Sequence, residues 1–362
     1  MSHTLPATGI AGALRQPLRT TRAIVRLDWV DAAKGIGIAL VVIGHALGGL
    51  IDAGIAPSAD WFRPAMLAIY TFHMPLFFFL SGLFLPRRLE SGPRGIAQRA
   101  LSGLVWPYFL WGSVQILVIH AAGAYVNAPV RDLPGALTGM FFSAPPSQFW
   151  FLYVLVLVQA VSVAALPLVG ATGMLALSVV LRVLAPDPLP IVLSFGVMML
   201  PWFALGCLFG ARGWSARLPG LPARRAAGMA LACAIVLGGT TAGLIGSVGW
   251  DGFSTFKAGE IAGLAWSPEG TAAALAGITA VVLLAARCSG VLLDVLALLG
   301  RHSMAIYLLH ILAIAGMRII LVNLTGWTDP MMILLLVAVG LGGPLVAAWV
   351  ARRLGVARLL AL

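Results

Sequence analysis

The stretch RLDWVDAAKGIGIALVVIGHALGG, residues 26 to 49, decides how the rest of the chain is interpreted. It is apolar enough to enter a bilayer, yet it carries Asp28, Asp31, Lys34 and His45. An ionisable group at membrane depth is costly unless it has a partner or a function. Lys34 and His45 are three helical turns plus about 20° apart, so both project from one face, with the histidine about 16 Å further along the helix.

The composition excludes a soluble globular protein. Of the 362 residues, 60% are hydrophobic and 10% are charged, and the mean hydropathy is +1.00, whereas soluble domains carry about 25% charged residues. The net charge of +11 comes from arginines in short segments between apolar runs, so no nucleic-acid partner is expected. Cys207, Cys233 and Cys288 lie far apart without zinc-site spacing, and no metal is expected.

Ten apolar runs are candidates for crossing the bilayer. They cover residues 31–51, 64–85, 101–122, 148–169, 172–186, 190–210, 226–248, 271–288, 302–323 and 330–350. The arginine-rich connections between these runs all fall on one side, which the positive-inside rule places in the cytoplasm. We therefore predict an all-α integral membrane protein, a single bundle of about ten transmembrane helices with both termini cytoplasmic. Its parts are an N-terminal tail (1–25), a membrane domain (26–353) and a C-terminal tail (354–362).

A second polar cluster lies in the next apolar run, TFHMPLFFFLSG, where His73 precedes Pro75. Proline leaves a backbone carbonyl unpaired about one turn earlier, and such breaks are tolerated in membrane helices that line a cavity. We expect His73 in the same half of the membrane as His45. A packing role for His45 remains an alternative, and so does an ion pair between Lys34 and Asp31.

A third cluster, LGRHSMAIYLLH, opens the ninth run. Ser303 is expected to cap this helix, which leaves amide donors at its positive end. Arg301 stands at the same end and suits a phosphate, although a purely topological charge is the alternative. Ser303, Tyr307 and His310 share one helix face, so a polar stripe is predicted to run inward from Arg301.

Other polar positions give weaker signals. Gln148, Trp150 and Tyr153 open the fourth run, where they could meet a sugar from outside, although a belt of interfacial aromatic residues is the commoner explanation. Arg182 and Arg318 lie near the outer ends of their runs and are expected at the membrane interface. A basic inner mouth with imidazoles beyond it suits a water-accessible passage and proton abstraction from a hydroxyl.

At this point the sequence resembles the acyltransferase type three family, bacterial inner-membrane proteins that O-acylate carbohydrates and other cell-surface acceptors. The resemblance rests on five motifs in order, which are DWVDAAKGIGIALVVIGHAL, FHMPLFFFLSGLFL, VWPYFLWG, FWFLYVLV and LGRHSMAIYLLH. The first is similar to the family's pattern of a basic residue, ten intervening residues and a histidine. The motifs extend over nearly the whole chain.

The resemblance implies transfer of an acetyl group from cytoplasmic acetyl-CoA to a hydroxyl of a cell-envelope glycan or lipid-linked sugar. It implies a multi-pass protein of the bacterial inner membrane, in contact with membrane lipids, whose membrane domain is the acyltransferase. His45 would be the catalytic base or a transient acyl carrier, and Lys34 would orient or bind the donor. The remaining expected site residues are His73 for catalysis, Arg301 and Ser303 for the donor, and His310, Tyr307 and Trp150 for the acceptor.

A transporter of a lipid-linked sugar or a similar envelope precursor is the alternative. It would move its substrate without consuming a thioester. Broken helices at corresponding positions of two halves would favour it. Pro75 and Pro201 interrupt two of the runs, but no symmetric polar pattern surrounds them.

Overall fold

A computed structural model describes residues 27–55, 60–142, 144–186 and 189–362. Within these ranges the only regular secondary structure is helical, which confirms the predicted all-α class. The helices of twelve or more residues are numbered here in chain order. They are α1 (Asp28–Asp52), α2 (Phe62–Gly82), α3 (Trp106–Ala122), α4 (Trp150–Leu184), α5 (Ile191–Ala211), α6 (Ala223–Val248), α7 (Pro268–Ala285), α8 (Gly290–Arg301), α9 (Ser303–Ile320) and α10 (Ile333–Arg353).

Shorter helical segments form much of the connecting chain. They are Leu85–Arg88, Leu89–Ser91, Gly92–Ala100, Leu101–Val105, Gly123–Tyr125, Leu133–Phe142, Ser147–Phe149, Trp214–Arg217, Leu218–Gly220, Trp250–Phe253, Ala258–Leu264, Leu321–Thr325, Pro330–Met332 and Ala357–Leu360. The first four join α2 to α3 as a nearly continuous helical path, which carries the arginines of the basic connection.

Helix α1 is the centre of the bundle. It packs against α2, α7, α8, α9 and α10. Of its most apolar 18-residue window 61% is buried, against 11% for the corresponding window of α6. A helix that neighbours surround presents few positions to lipid, so its polar side chains must face protein or a cavity. The structure therefore keeps Lys34 and His45 inside the protein.

The contact between α1 and α8 is close enough to exclude side chains. A Cβ atom on Gly300 would overlap the backbone oxygen of Asp31, and one on Gly35 would overlap that of Leu296. Small residues allow the backbones of membrane helices to approach in this way. The apolar runs do not predict α8, because residues 289–301 are too few to span a membrane and fall between two expected spans.

The number of membrane spans differs from the ten expected. Eight described stretches are long and apolar enough to cross a membrane. The difference lies in two long stretches that each count as one candidate, Phe62–Tyr125 with 64 residues and Leu133–Leu184 with 52, and each of them overlaps two expected spans. In the second stretch the backbone leaves helical geometry at Gly170, with φ 66° and ψ 174°. A single crossing needs about 20 residues, so each stretch has the length for two.

Of the two predicted tails, the structure describes the C-terminal one but not the N-terminal one. Residues 1–25 lie outside the described residues, and the cytoplasmic location of both termini stays a prediction. The C-terminal segment packs on the start of α3, where the indole N–H groups of Trp106 and Trp111 donate to the carbonyls of Leu359 and Leu360, each at 2.8 Å. Residues 354–362 are therefore attached to the bundle.

Gly300→Ala is expected to destabilise the protein, because the new methyl group must push α8 away from α1. Overpacking of this kind costs about 1 to 3 kcal/mol, which thermal unfolding in detergent would register as a lower melting temperature. Gly316→Ala on α9 is the matched control, since no atom lies within 4 Å of its added Cβ. Equal melting temperatures for the two variants would contradict the close contact.

Candidate functional site

A cavity of about 160 Å³ is lined by the two histidines predicted to act in catalysis, His45 and His73, and is named here the histidine cavity. His45 reaches it from α1 and His73 from α2. Trp150 on α4 and Tyr307 on α9, both predicted to meet the acceptor, also line it. The other lining residues are Val41, Tyr70, Thr71, Met74, Pro75, Gln148, Arg182, Phe195, Met199, Trp202, Ala262, Ala265, Trp266, Gly270, Thr271 and Ala274.

A second cavity, of about 300 Å³, is named the cationic cavity because Lys34, Arg88 and Arg99 line it. Lys34 comes from α1, and the two arginines come from the helical connection between α2 and α3. Ser303 at the start of α9 also lines it. The other lining residues are Ile38, Val41, Met74, Phe77, Leu80, Ser81, Phe84, Ala100, Gly103, Leu104, Phe151, Leu155, Gln159, Phe203, Met304 and Tyr307.

The two cavities share three lining residues, Val41, Met74 and Tyr307, which are named the junction. Val41 lies between Lys34 and His45 on α1, so one helix face passes from the cationic cavity through the junction to the histidine cavity. The shared face predicted from the spacing is therefore found. The two side chains lie in different cavities, and they cannot act on the same atom.

His45 lies in a cluster of aromatic and imidazole rings. Its ring centre is 5.0 Å from that of His310 and 6.3 Å from that of Tyr70. Tyr70 in turn lies 4.9 Å from His73, also between ring centres. Tyr70 was missed by the sequence analysis, although its position three residues before His73 places both on one helix face.

The hydrogen bonds of His73 and His310 fix which ring nitrogen carries hydrogen. Nδ1 of His73 lies 2.9 Å from the carbonyl oxygen of Ile69, and Nδ1 of His310 lies 2.8 Å from that of Tyr307 and 3.0 Å from that of Ile306. A carbonyl oxygen only accepts, so Nδ1 is the donor in both rings and Nε2 of the neutral ring keeps a lone pair. Nε2 of His310 is buried, with no hydrogen-bond partner among the described residues.

Tyr307 is held at the junction by a hydrogen bond. Its hydroxyl donates to the backbone carbonyl of Gln148 at 2.6 Å. The side-chain amide of Gln148 exchanges two hydrogen bonds with that of Gln115, at 2.9 and 2.8 Å, and both amides are buried. A doubly bonded amide pair satisfies its polar groups away from water. This network fixes the start of α4 against α3 and α9.

The residues at the open end of the cationic cavity are tied to one another. The guanidinium of Arg99 donates to the hydroxyl of Ser91 at 3.0 Å, and that hydroxyl donates to the carbonyl of Arg88 at 2.7 Å. Both arginine side chains are exposed, and Lys34 deeper inside is half-buried. The arrangement places positive charge along one cavity from its mouth inward, which favours an anionic ligand.

Some sequence expectations are not met by the geometry. Arg301 is exposed at the end of α8 and is not among the residues that line either cavity. Ser303 begins α9 but its side chain makes no capping hydrogen bond, because the N-cap position is occupied by His302. His310 is fully buried beside the histidine cavity and is not among its lining residues. The donor and acceptor roles of these residues stay predictions.

Arg182, which we expect at the membrane interface, lines the histidine cavity, and its position relative to the membrane stays a prediction. No sequence signal identified its partners, because the contact joins three helices that are distant in the chain. In the described residues no three His, Cys, Asp or Glu side chains are grouped so that they would hold a metal ion.

Comparison with known proteins places the chain among membrane acyltransferases. The model of the acyltransferase domain named Acyl_transf_3 matches residues 27–349, which include every residue that lines the two cavities. No solved structure matches the chain with significance.

Curated relatives match over shorter regions. Nodulation protein NolL of Mesorhizobium japonicum is 34% identical over 125 residues, which cover 34% of this chain and 31% of that protein. The NolL protein of Sinorhizobium fredii is 30% identical over 193 residues, which cover 49% of this chain and 47% of that protein. Inner membrane protein YcfT of Escherichia coli is 29% identical over 213 residues, which cover 51% of this chain and 56% of that protein. The chain thus spans between about a third and just over half of these relatives' lengths.

The family match extends over most of the chain and over both cavities. The helices that surround them are long and apolar enough for a multi-pass membrane protein. This chain belongs to the acyltransferase 3 family.

Proposed function

We propose that the protein transfers an acetyl or similar short acyl group from acyl-CoA to a hydroxyl of a cell-envelope glycan or lipid-linked sugar. The observation that carries this proposal is the junction, at which the cationic cavity and the histidine cavity adjoin. In the proposal, a donor in the first and an acceptor in the second meet there. Membership of an acyltransferase family supports the reaction class. The name of the relative YcfT, an inner membrane protein, supports a location in the bacterial inner membrane.

The cationic cavity suits the phosphates of CoA. Lys34, Arg88 and Arg99 supply charged donors, and guanidinium groups bind phosphate through paired hydrogen bonds. Lys34 and His45 are about 16 Å apart along α1, a distance that an extended pantetheine arm spans. With its nucleotide at the arginines, the thioester of the donor reaches the junction.

The histidine cavity supplies the base for the acceptor. In direct transfer, a ring nitrogen of His45 takes the proton from the acceptor hydroxyl, and the oxygen forms a bond to the thioester carbonyl carbon. The bond from that carbon to sulfur then breaks, and the departing thiolate takes up the proton. If His45 is instead acylated first, its ring nitrogen forms a bond to the thioester carbonyl carbon and the carbon–sulfur bond breaks. The acceptor oxygen then forms its bond to that carbon while the carbon–nitrogen bond breaks, and the proton of the acceptor hydroxyl passes to the freed imidazole and from there to the thiolate. His73 lines the same cavity, and its Nε2 keeps a lone pair for a second hydrogen bond to the acceptor.

His310 is a positioning residue in this mechanism. Its Nδ1 is committed to two backbone carbonyls, so its buried Nε2 is an acceptor that needs a donor. The ring of His45 lies 5.0 Å away between centres and makes no hydrogen bond to this nitrogen in the structure. In the proposed mechanism one ring turns so that a protonated nitrogen of His45 donates to it. The other nitrogen of His45 is then the one with a lone pair, and it is the base.

The first test replaces the base. His45→Ala is expected to lower acyl transfer from radiolabelled acetyl-CoA to a cell-envelope extract by about a thousandfold, while the purified protein still inserts and expresses. His120→Ala is the control, because this exposed histidine lies outside both cavities. Unchanged turnover in His45→Ala contradicts the proposal. Movement of a lipid-linked sugar across vesicles without thioester consumption would establish a transporter.

The second test concerns the donor. Arg88→Gln is expected to raise the KM for acetyl-CoA about tenfold, since one charge-assisted contact to a phosphate is lost. Arg94→Gln makes the same charge change on the same connection but outside the cavity, and its KM should stay at the wild-type value. Arg301→Gln should have the smaller effect as well. A larger effect at Arg301 than at Arg88 would move the donor site away from the cationic cavity.

The third test concerns the orientation of His45. His310→Ala should lower kcat about tenfold, the equivalent of one lost hydrogen bond, with little change in the KM for acetyl-CoA. His310→Gln keeps an oxygen acceptor and should recover part of the rate. A purely structural role predicts that both variants lose melting temperature and activity together, and that result would overturn the positioning role.

A further inference from the structure

The guanidinium of Arg182 links three helices and also lines the histidine cavity. From α4 it donates to the carbonyl of Met198 on α5 at 3.0 Å and to the hydroxyl of Thr271 on α7 at 2.9 Å. Both acceptors are uncharged, and these bonds use two of the five N–H donors of the group. The side chain is half-buried, so it presents a fixed positive charge to the cavity.

The charge balance of the histidine cavity is one-sided. Its lining among the described residues contains Arg182 but no Asp or Glu. A partly desolvated guanidinium whose hydrogen-bond partners among the described residues are uncharged favours a ligand that brings the negative charge. The cationic cavity is separate from this position, since Arg182 is not among the residues that line it.

Aromatic rings form the wall beside this charge. Phe195 and Trp266 are stacked, with ring centres 4.9 Å apart and planes at 25°. Trp150 lies 4.8 Å from Phe195 and 6.1 Å from Trp266, again between ring centres. All three line the histidine cavity. Flat aromatic surfaces of this kind pack against the apolar face of a ligand ring.

We propose that the acceptor is a sugar that carries a carboxylate or phosphate group, which Arg182 binds while the sugar ring packs on Phe195, Trp266 and Trp150. A hydroxyl of the same sugar then faces His45 across the cavity. This inference rests on the proposed function, because it names the class of acceptor for the same reaction. It assigns Arg182 as the residue that selects charged over neutral acceptors.

The test measures binding without an acyl donor, so that it does not depend on catalysis. Purified wild-type protein is titrated with methyl β-D-glucuronide, glucose 1-phosphate and methyl β-D-glucoside, and dissociation constants are obtained by saturation-transfer NMR. We expect at least one of the two charged sugars to bind about tenfold more tightly than the neutral one, the equivalent of one charge-assisted hydrogen bond. Which charged sugar binds more tightly distinguishes a carboxylate from a phosphate acceptor.

Four variants connect this preference to the site. Arg182→Gln should remove the preference while the neutral glycoside binds as before, and Arg182→Lys should retain part of it. Arg212→Gln makes the same charge change at an exposed arginine outside both cavities and should keep the wild-type preference. Trp266→Leu should weaken the binding of all three sugars by a similar factor.

Equal binding of charged and neutral sugars, or no binding of any of them, would overturn the inference. A preference that survives Arg182→Gln would assign Arg182 to helix packing alone. If Arg182→Gln does not fold, the wild-type comparison and Trp266→Leu still decide the question. Loss of acyl transfer in every assay with intact sugar binding would instead refute the proposed reaction and leave the binding site in place.

Discussion

Lys34 and His45 must both be accommodated on one helix that the rest of the bundle surrounds. Helix α1 packs against five others, so most of its surface faces protein. The fold answers this constraint with two cavities, one around Lys34 and one around His45, that share Val41, Met74 and Tyr307. Several contacts between the surrounding helices hold the two cavities next to each other.

Three structural features hold the two cavities in their relative positions. The glycine contact between α1 and α8 fixes the height of α1 in the bundle. Pro75 and the hydrogen bond of His73 to Ile69 shape α2 where it meets His45. The paired amides of Gln115 and Gln148 hold the start of α4, on which the Tyr307 hydroxyl is anchored. Because these contacts involve α1, α2 and α9, the helices that carry Val41, Met74 and Tyr307, the donor and acceptor sides are positioned together.

The sequence predicted the features that depend on local pattern. The apolar runs predicted helices, and the spacing of Lys34 and His45 predicted a shared face that the structure contains. It did not reveal α8, whose length is too short for a span, or the cavity position of Arg182, which depends on contacts with Met198 and Thr271. The role expected for Ser303 as a cap failed, because the start of α9 is set by its tertiary contacts and His302 occupies the N-cap position.

The central claim is that a donor anchored beside Lys34 reaches His45 through the junction. A cryo-EM structure of the protein with bound CoA tests it most directly. We expect phosphate density beside Arg88 and Arg99, with the pantetheine arm passing Val41, Met74 and Tyr307 so that its sulfur ends near His45. Phosphate density outside the cationic cavity, or an arm that ends without entering the junction, would contradict the account.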